Sequence, residues 1–217
     1  MKKTTEKHLD GLLERYSVLR ACRDEVVEAH EVLVECCKSG GKILVCGNGG
    51  SYADAEHIVG ELMKDYLIKR PIPAVDRERI GKTAASESES EYLCDKLQRA
   101  VPALPLSAHG ALPSAVANDT GADIVYAQQV YGLGRPGDVL WGISTSGNSK
   151  NVLYAMKVAR AIGVKVLGMT GASGGAVAGC CDVTIRVPES ATYKIQELHL
   201  PVYHTLCSML EQELFGE

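Results

Sequence analysis

Residues 42–51 read KILVCGNGGS, an apolar run followed directly by glycine, asparagine and serine. The run 42–46 is typical of a strand that is buried on both faces of a sheet. Residues 47–51 predict a tight loop, and a helix is expected from about Tyr52. Strand, polar loop and helix in this order indicate a parallel sheet that carries helices on its faces.

A second unit of the same kind occupies residues 138–162. Residues 138–143 (DVLWGI) predict a buried strand, 144–149 (STSGNS) a loop, and a helix should run to about Ile162. Two more strands are predicted at 164–170 and 183–187, and a long terminal helix from about Thr192 to Leu214. The expected fold is α/β, a single domain over 1–217 with a flavodoxin-like, three-layer arrangement.

Apolar residues at helical spacing also occur at the start of the chain. It predicts two helices within residues 1–40, and Gly40-Gly41 should end the second. His30 on that second helix is interpreted as a packed or interface histidine. An N-terminal helical hairpin therefore precedes the sheet.

Residues 71–100 interrupt the alternation and are interpreted as an atypical insertion. Ser86 and Glu89 form a possible capping box, and residues from Glu91 to Arg99 would continue from it as a short helix. The segment is interpreted as a solvated helix start, with a phosphorylation or partner site as the alternative.

Composition narrows the class of protein. The 217 residues are 46% apolar and 23% charged with a net charge of −4, so one soluble domain is expected and a nucleic-acid partner is not. No apolar run predicts a membrane span or a signal peptide. Adjacent cysteines at 36–37 and 180–181, without any CxxC motif, indicate reduced thiols and a cytoplasmic protein.

The two loops that follow predicted strands contain residues that could bind a ligand. Glycines in 47–51 let the backbone approach a ligand, and the serines and threonine of 144–149 offer hydroxyl donors at a helix N-terminus. Helix N-termini favour anions, usually phosphate. Neither loop matches a P-loop or GxGxxG. Either loop alone could be a simple helix cap, but the pair predicts a phosphate-ester site.

Acid–base side chains lie on two predicted helices. His57 and Glu61 are four residues apart and share a helix face that begins beside the first loop. The terminal helix carries Gln196, His199 and His204. Carboxylate and imidazole groups suit either general acid–base catalysis or a zinc site, although the first pair alone could be a surface ion pair.

Several segments together resemble one family, the phosphoheptose isomerases, which are sugar isomerase (SIS) domain proteins. The segments are 46–51 (CGNGGS), His57-x-x-x-Glu61, Asn118-Asp119, 143–149 (ISTSGNS) and 195–197 (IQE) followed by His204. The resemblance covers nearly all of the chain outside 70–100. It implies conversion of sedoheptulose 7-phosphate, a phosphorylated seven-carbon ketose, to D-glycero-D-manno-heptose 7-phosphate for bacterial surface polysaccharides.

The resemblance also implies roles for individual residues. Glu61 would be the catalytic base and His204 its acid–base partner. The phosphate would lie on Ser144, Ser146 and Ser149, and the rest of the substrate on Asn48, Gly49, Gly50, Ser51, Glu61, Asn118, Asp119, Thr145 and Gln196. One zinc ion per subunit would be held by His57, Glu61, Gln196 and His204. The family further implies a homotetramer with active sites between subunits.

Spacing along the terminal helix bears on that assembly. Gln196 and His204 are eight residues apart, ~12 Å along a straight helix. The two side chains could hardly bind the same ion from one straight helix. Either Pro201 bends the helix, or the two ligands come from different subunits. We expect a site assembled by oligomerisation.

The sequence is also compatible with other functions. A non-catalytic SIS adaptor or sugar-phosphate sensor would share the fold and the serine loop (residues 144–149), although Glu61 and His204 favour an enzyme. An isomerase for another phosphorylated ketose is a third possibility, because Tyr193 stands where many relatives carry aspartate. His109 and His199 are interpreted as structural, with His199 as an alternative to His204.

Overall fold

Five parallel strands form one sheet in the computed structural model, which describes residues 1–216. They are β1 (Ile43–Cys46), β2 (Ala103–Pro105), β3 (Val139–Ile143), β4 (Lys165–Thr170) and β5 (Val183–Arg186). The order across the sheet is β2-β1-β3-β4-β5, all neighbours being parallel. This is the flavodoxin-like order, whose switch point lies between β1 and β3, and the predicted fold class is confirmed.

Helices cover both faces of the sheet. They are α1 (Lys3–Arg15), α2 (Arg23–Lys38), α3 (Gly50–Met63), α4 (Ala74–Thr83), α5 (Glu87–Lys96), α6 (Ala111–Asp119), α7 (Val125–Leu133), α8 (Lys150–Ala161), α9 (Gly175–Ala178) and α10 (Thr192–Phe215). Short 3₁₀ helices occupy 17–22 and 122–124. Within residues 1–216, no helix combines the length and apolarity that crossing a membrane requires.

The strands alternate their side chains between two separate cores. Ile43 and Val45 of β1 pack with α1, α2, α3 and α10, whereas Leu44 and Cys46 pack with α7 and α8. Because both faces of the sheet are covered, the central strands read as continuous apolar runs. The sequence signal and the packing therefore agree.

The 71–100 segment folds differently from the prediction. The helix expected after the Ser86 cap forms as α5 but ends at Lys96 rather than Arg99, and α4 was not predicted. Ser86 does cap α5, since its Oγ accepts from the backbone N–H of Glu89 at 3.2 Å, and the Glu89 carboxylate accepts from the N–H of Ala85. The missed helix has no buried residue, so it lacks the apolar face by which such helices are recognised.

A buried ion pair ties the segment after α3 to the terminal helix. Arg70 Nε donates to Glu211 at 2.7 Å, and neither side chain is exposed. Glu211 also accepts from the backbone N–H groups of residues 66–68, at 2.7–3.2 Å. Arg70 in turn donates to the Leu62 carbonyl at 2.8 Å. The end of α3, which carries Glu61, is therefore held by a hydrogen-bonded network rather than by apolar packing alone.

Two buried histidines give the fold a sensitivity to acid. His30 is 1% exposed, and neither of its ring nitrogens has a hydrogen-bond partner among residues 1–216. Burial lowers its pKa to about 4, although the Glu213 carboxylate opposes the shift. Burial likewise lowers the pKa of His199 to about 4, against the hydrogen bond with the Thr170 carbonyl. Both imidazoles are therefore neutral in the folded protein near pH 7.

We expect the free energy of unfolding to fall as the pH drops below 6.5, towards 4. In that range the unfolded chain binds protons at these histidines and the folded protein does not. The free energy of unfolding therefore falls by ~1.4 kcal/mol per histidine for each pH unit. Urea denaturation between pH 6.5 and about 5, a range above the usual pKa values of carboxyl groups, measures how steeply the free energy of unfolding depends on pH. His30→Leu should lower that slope, and His109→Leu, at an exposed position, should not. An unchanged slope in His30→Leu would contradict the burial argument.

Candidate active site

Two loops meet at the switch point of the sheet. One follows β1 and leads into α3, and the other, residues 144–149, follows β3 and leads into α8. The carboxyl ends of adjacent parallel strands lie at the same edge, where ligands of such sheets bind. The two loops singled out in the sequence are therefore neighbours.

Hydroxyl groups line the start of α8. Ser144 is buried, and its Oγ donates to Ser149 Oγ at 3.0 Å. Ser146 is exposed, and its Oγ accepts from the backbone N–H of Asn148 at 3.2 Å. Gly147 has φ +67°, and a Cβ there would collide with the carbonyl of Gly174. The chain that follows β4 therefore packs against the 144–149 loop at Gly147, and Ser146 is the exposed hydroxyl of the loop.

The loop after β1 is fixed by side chains that the sequence did not single out. Asn48 and Asn151 exchange two amide hydrogen bonds, both at 2.9 Å, which join the first loop to the first turn of α8. The Tyr126 hydroxyl donates to the Gly47 carbonyl and lies 3.3 Å from Asn48 Oδ1. Asn151 lies two residues after the serine loop. This proximity is the only feature of the sequence that could have indicated its contact with Asn48.

Helix α10 runs beside α3 and brings Gln196 to the same end of the fold. Gly50, the first residue of α3, is in such close contact with the Gln196 amide that a Cβ would overlap it. Ser51 is buried in the same turn. Within one chain, Gln196 therefore lies at the N-terminal end of α3, where the loop after β1 leads into the helix.

Three side chains converge further along the two helices. His57 Nε2 lies 3.2 Å from Glu61 Oε1 and 3.4 Å from His204 Nε2. One ligand atom from each of the three residues lies within 4.8 Å of the others. Ligands 2.0–2.1 Å from a tetrahedral metal ion are separated by about 3.3–3.4 Å, close to two of these separations. Nitrogen and carboxylate donors at this spacing suit a divalent metal with an open coordination position.

The surroundings of the cluster favour a neutral imidazole. Burial lowers the pKa of His204, the charge of His57 lowers it further, and Glu61 opposes both. Behind His57, burial raises the pKa of Asp54 and of the Tyr203 hydroxyl. Lys64 Nζ lies 3.5 Å from Glu61 Oε2, on the exposed side. One carboxylate oxygen thus faces the histidines and the other faces away from them.

Comparison with known proteins assigns the chain to a family. The profile of the SIS domain family matches residues 9–92 and 95–171. Phosphoheptose isomerase from Rhodospirillum rubrum is 40% identical over 193 residues, which cover 89% of this chain and 88% of that protein. Phosphoheptose isomerase from Akkermansia muciniphila is 34% identical over 206 residues, covering 95% and 94%. The chain belongs to the phosphoheptose isomerase family of SIS-domain proteins.

A solved structure agrees with this assignment. Phosphoheptose isomerase GmhA from Neisseria gonorrhoeae has a TM-score of 0.71 to this chain at 32% identity, covering 96% of this chain and 98% of that one. The matched family ranges also include residues 71–92 of the segment interpreted as an insertion.

The structure brings together some of the residues expected from the phosphoheptose isomerase family and separates others. Within one chain, His57 and Glu61 lie about 10 and 16 Å along α3 from Gly50, where Gln196 lies. Asn118 and Asp119 end α6, are exposed, and pair with each other at 2.7 Å. Three of the four predicted metal ligands are thus clustered, and the fourth lies at the loop end.

Two further sequence interpretations can be located in the fold. His199 has no exposed surface and its Nε2 lies 3.2 Å from the Thr170 carbonyl, so it packs inside the protein. Tyr193 is 62% exposed in the first turn of α10, one turn before Gln196.

Proposed function

We propose that this protein is an aldose–ketose isomerase that converts sedoheptulose 7-phosphate to D-glycero-D-manno-heptose 7-phosphate. The observation that carries the proposal is the cluster of His57, Glu61 and His204, in a chain 34–40% identical to phosphoheptose isomerases. A sugar-phosphate adaptor or sensor needs the serine loop but has no use for a carboxylate clustered with two imidazoles.

Proton transfer is assigned to Glu61. Its carboxylate takes the proton from C1 of the ketose and returns it to C2 of the resulting enediolate, which forms the aldose. Because Oε1 faces the histidines and Oε2 faces away, one oxygen can bind a metal while the other carries the proton. The hydroxyls of Ser144, Ser146 and Ser149, with Thr145, would hold the phosphate at the start of α8.

Zinc is the metal proposed for the cluster. The donors are two imidazole nitrogens and one carboxylate, the set typical of catalytic zinc sites. When bound there, zinc supplies Lewis-acid stabilisation of negative charge on the substrate oxygens. The isomerisation also moves a proton from the C1 oxygen to the C2 oxygen, and His204 is the proposed acid–base partner for that transfer. A ring nitrogen that binds metal carries no proton, so if His204 Nε2 held the zinc, this second proton would be exchanged through solvent instead.

A complete site is proposed to need more than one subunit, within a homotetramer. In one chain Gln196 lies against Gly50, about two helical turns from His57, so it cannot join the cluster of its own chain without a large movement. A second copy would supply Gln196 and the serine loop to the cluster. The free thiols of all eight cysteines favour a cytoplasmic setting for this assembly.

Mixed oligomers test the shared site. Glu61→Gln and Gln196→Ala should each be inactive or strongly impaired, and co-expression with two affinity tags yields hybrids. If one subunit supplies the cluster and another supplies Gln196, about a quarter of the sites in random hybrids are intact, and activity returns. Sites contained within one chain would each carry a defect, and the hybrids would stay as impaired as their parents.

A substrate panel tests the function itself. The purified protein, with and without added zinc, is incubated with sedoheptulose 7-phosphate and with the six-carbon fructose 6-phosphate. We expect aldose formation from the seven-carbon ketose and much less from the six-carbon one. Turnover of the six-carbon ketose alone would indicate a different sugar isomerase, and binding without turnover would indicate an adaptor or sensor.

A further inference from the structure

The side-chain amides of Asn48 and Asn151 form a closed pair where the two loops meet. Asn48 Nδ2 donates to Asn151 Oδ1, and Asn151 Nδ2 donates to Asn48 Oδ1, both at 2.9 Å. The backbone of Asn48 is held separately, because its carbonyl accepts from the N–H of Ser51 at 3.0 Å. The side chain of Asn48 is therefore fixed by α8, whereas its backbone is fixed by α3.

One backbone group decides which way both amides point. The N–H of Val152 lies in the first turn of α8, where such groups have no partner within the helix, and it donates to Asn151 Oδ1 at 3.0 Å. Because an N–H can only donate, Asn151 Oδ1 has to face Val152. Rotating the Asn48 amide alone would then oppose two oxygens and two NH₂ groups. The orientation of the Asn48 amide therefore follows from that of Asn151.

The Asn48 amide retains one unused donor. Its Oδ1 accepts from Asn151 and lies 3.3 Å from the Tyr126 hydroxyl. One of its two Nδ2 hydrogens goes to Asn151, and the other has no acceptor among residues 1–216. Asn48 is exposed in the loop after β1. The pair therefore holds Asn48 with one N–H available to an oxygen atom of a ligand.

We propose that Asn151 is a positioning residue, which fixes the Asn48 amide so that its free N–H donates to an oxygen of the sugar. The inference rests on the proposed function, in which the substrate contacts both Asn48 and the serine loop. A purely structural role for Asn151 would be to accept from Val152 and so complete the first turn of α8. The serine loop ends where that helix begins, so a structural role would be expressed in phosphate binding instead.

Two ligands separate these roles. Calorimetry gives the Kd of sedoheptulose 7-phosphate and of inorganic phosphate for each protein. Asn151→Ala should weaken binding of the sugar phosphate by about 3–10-fold, the typical effect of one hydrogen bond, and should leave the Kd of inorganic phosphate unchanged. Asn151→Ser, which keeps a polar group in the turn but is too short to reach Asn48, should behave in the same way. Lys157→Ala, at an exposed position on α8, is the matched control and should change neither Kd.

A double-mutant cycle tests whether Asn151 acts through Asn48. Asn48→Ala should weaken binding of the sugar phosphate at least as much as Asn151→Ala. The double variant should bind within about twofold of Asn48→Ala alone, because the amide that Asn151 positions is then absent. A crystal structure of ligand-free Asn151→Ala should show a reoriented Asn48 amide and an unchanged serine loop, and thermal unfolding confirms that each variant is folded.

Several results would overturn the inference. They are a wild type that does not bind sedoheptulose 7-phosphate, equal weakening of both ligands in Asn151→Ala, a change of less than twofold for the sugar phosphate, or losses that multiply in the double variant. The proposed isomerase function can fail separately. Sugar-phosphate binding with the expected differences between variants, but without turnover, would refute the isomerase and leave the role of Asn151 intact.

Discussion

Glu61→Gln should lower turnover of sedoheptulose 7-phosphate by about 10³–10⁴-fold, the upper range for loss of a general base. Glutamine keeps the size of the side chain and a neutral oxygen near His57, but it cannot accept a proton from carbon. The serine loop is not altered, so with zinc supplied in excess to both proteins the Kd for the substrate should change far less than kcat. Steady-state kinetics together with calorimetric binding would separate the two quantities.

The matched control for this prediction is Glu56→Gln. Glu56 is an exposed carboxylate on the same helix, and its near contact is the Ser107 hydroxyl at 3.3 Å. Its replacement should leave kcat within a few-fold of the wild type. If Glu61→Gln retained more than a tenth of the wild-type kcat, the base would have to be another residue.

Arg70→Met should destabilise the protein by about 3–5 kcal/mol, the cost of leaving one partner of a buried ion pair uncompensated. Both side chains are fully buried, and Glu211 would lose its guanidinium while keeping its hydrogen bonds from residues 66–68. The Leu62 carbonyl would lose its donor as well. Urea denaturation at pH 7 measures the change in the free energy of unfolding.

A double variant and a surface pair complete that experiment. Arg70→Met with Glu211→Leu should cost less than the sum of the two single changes, because neither charge is then left alone. It should remain below the wild type, since the N–H groups of residues 66–68 lose their acceptor. Glu78→Gln, which breaks the exposed pair with Lys82, should cost no more than about 0.5 kcal/mol. Equal costs for Arg70→Met and Glu78→Gln would contradict the role given to the buried pair.

Much of the fold could be predicted from local pattern. The strands at 43–46 and 139–143 are continuous apolar runs, and small polar loops follow them, so their type and their place in the sheet followed directly. β2 was missed because it has only three residues and ends at Pro105. Helix α4 was missed because it buries nothing. Both lack the periodic burial on which sequence interpretation depends.

The candidate site was predicted less completely than the fold. The i, i+4 spacing placed His57 and Glu61 on one face, and the resemblance supplied His204, whose Nε2 lies 3.4 Å from His57 Nε2. Spacing also indicated that Gln196 and His204 could not easily meet at one ion. Sequence spacing carries no information on contacts between distant helices, however, so the contacts of Tyr203 with His57 and of Asn151 with Asn48 were not foreseen. These contacts form only when α10 is packed on α3 and when the two loops meet.

The most direct measurement is isomerisation of sedoheptulose 7-phosphate in deuterated water, followed by NMR or mass spectrometry. If Glu61 moves a proton from C1 to C2 and exchanges it with solvent, the aldose should carry deuterium at C2, and Glu61→Gln should abolish both product and label. No aldose and no deuterium incorporation from the wild type, with zinc supplied and the oligomer intact, would contradict the isomerase assignment.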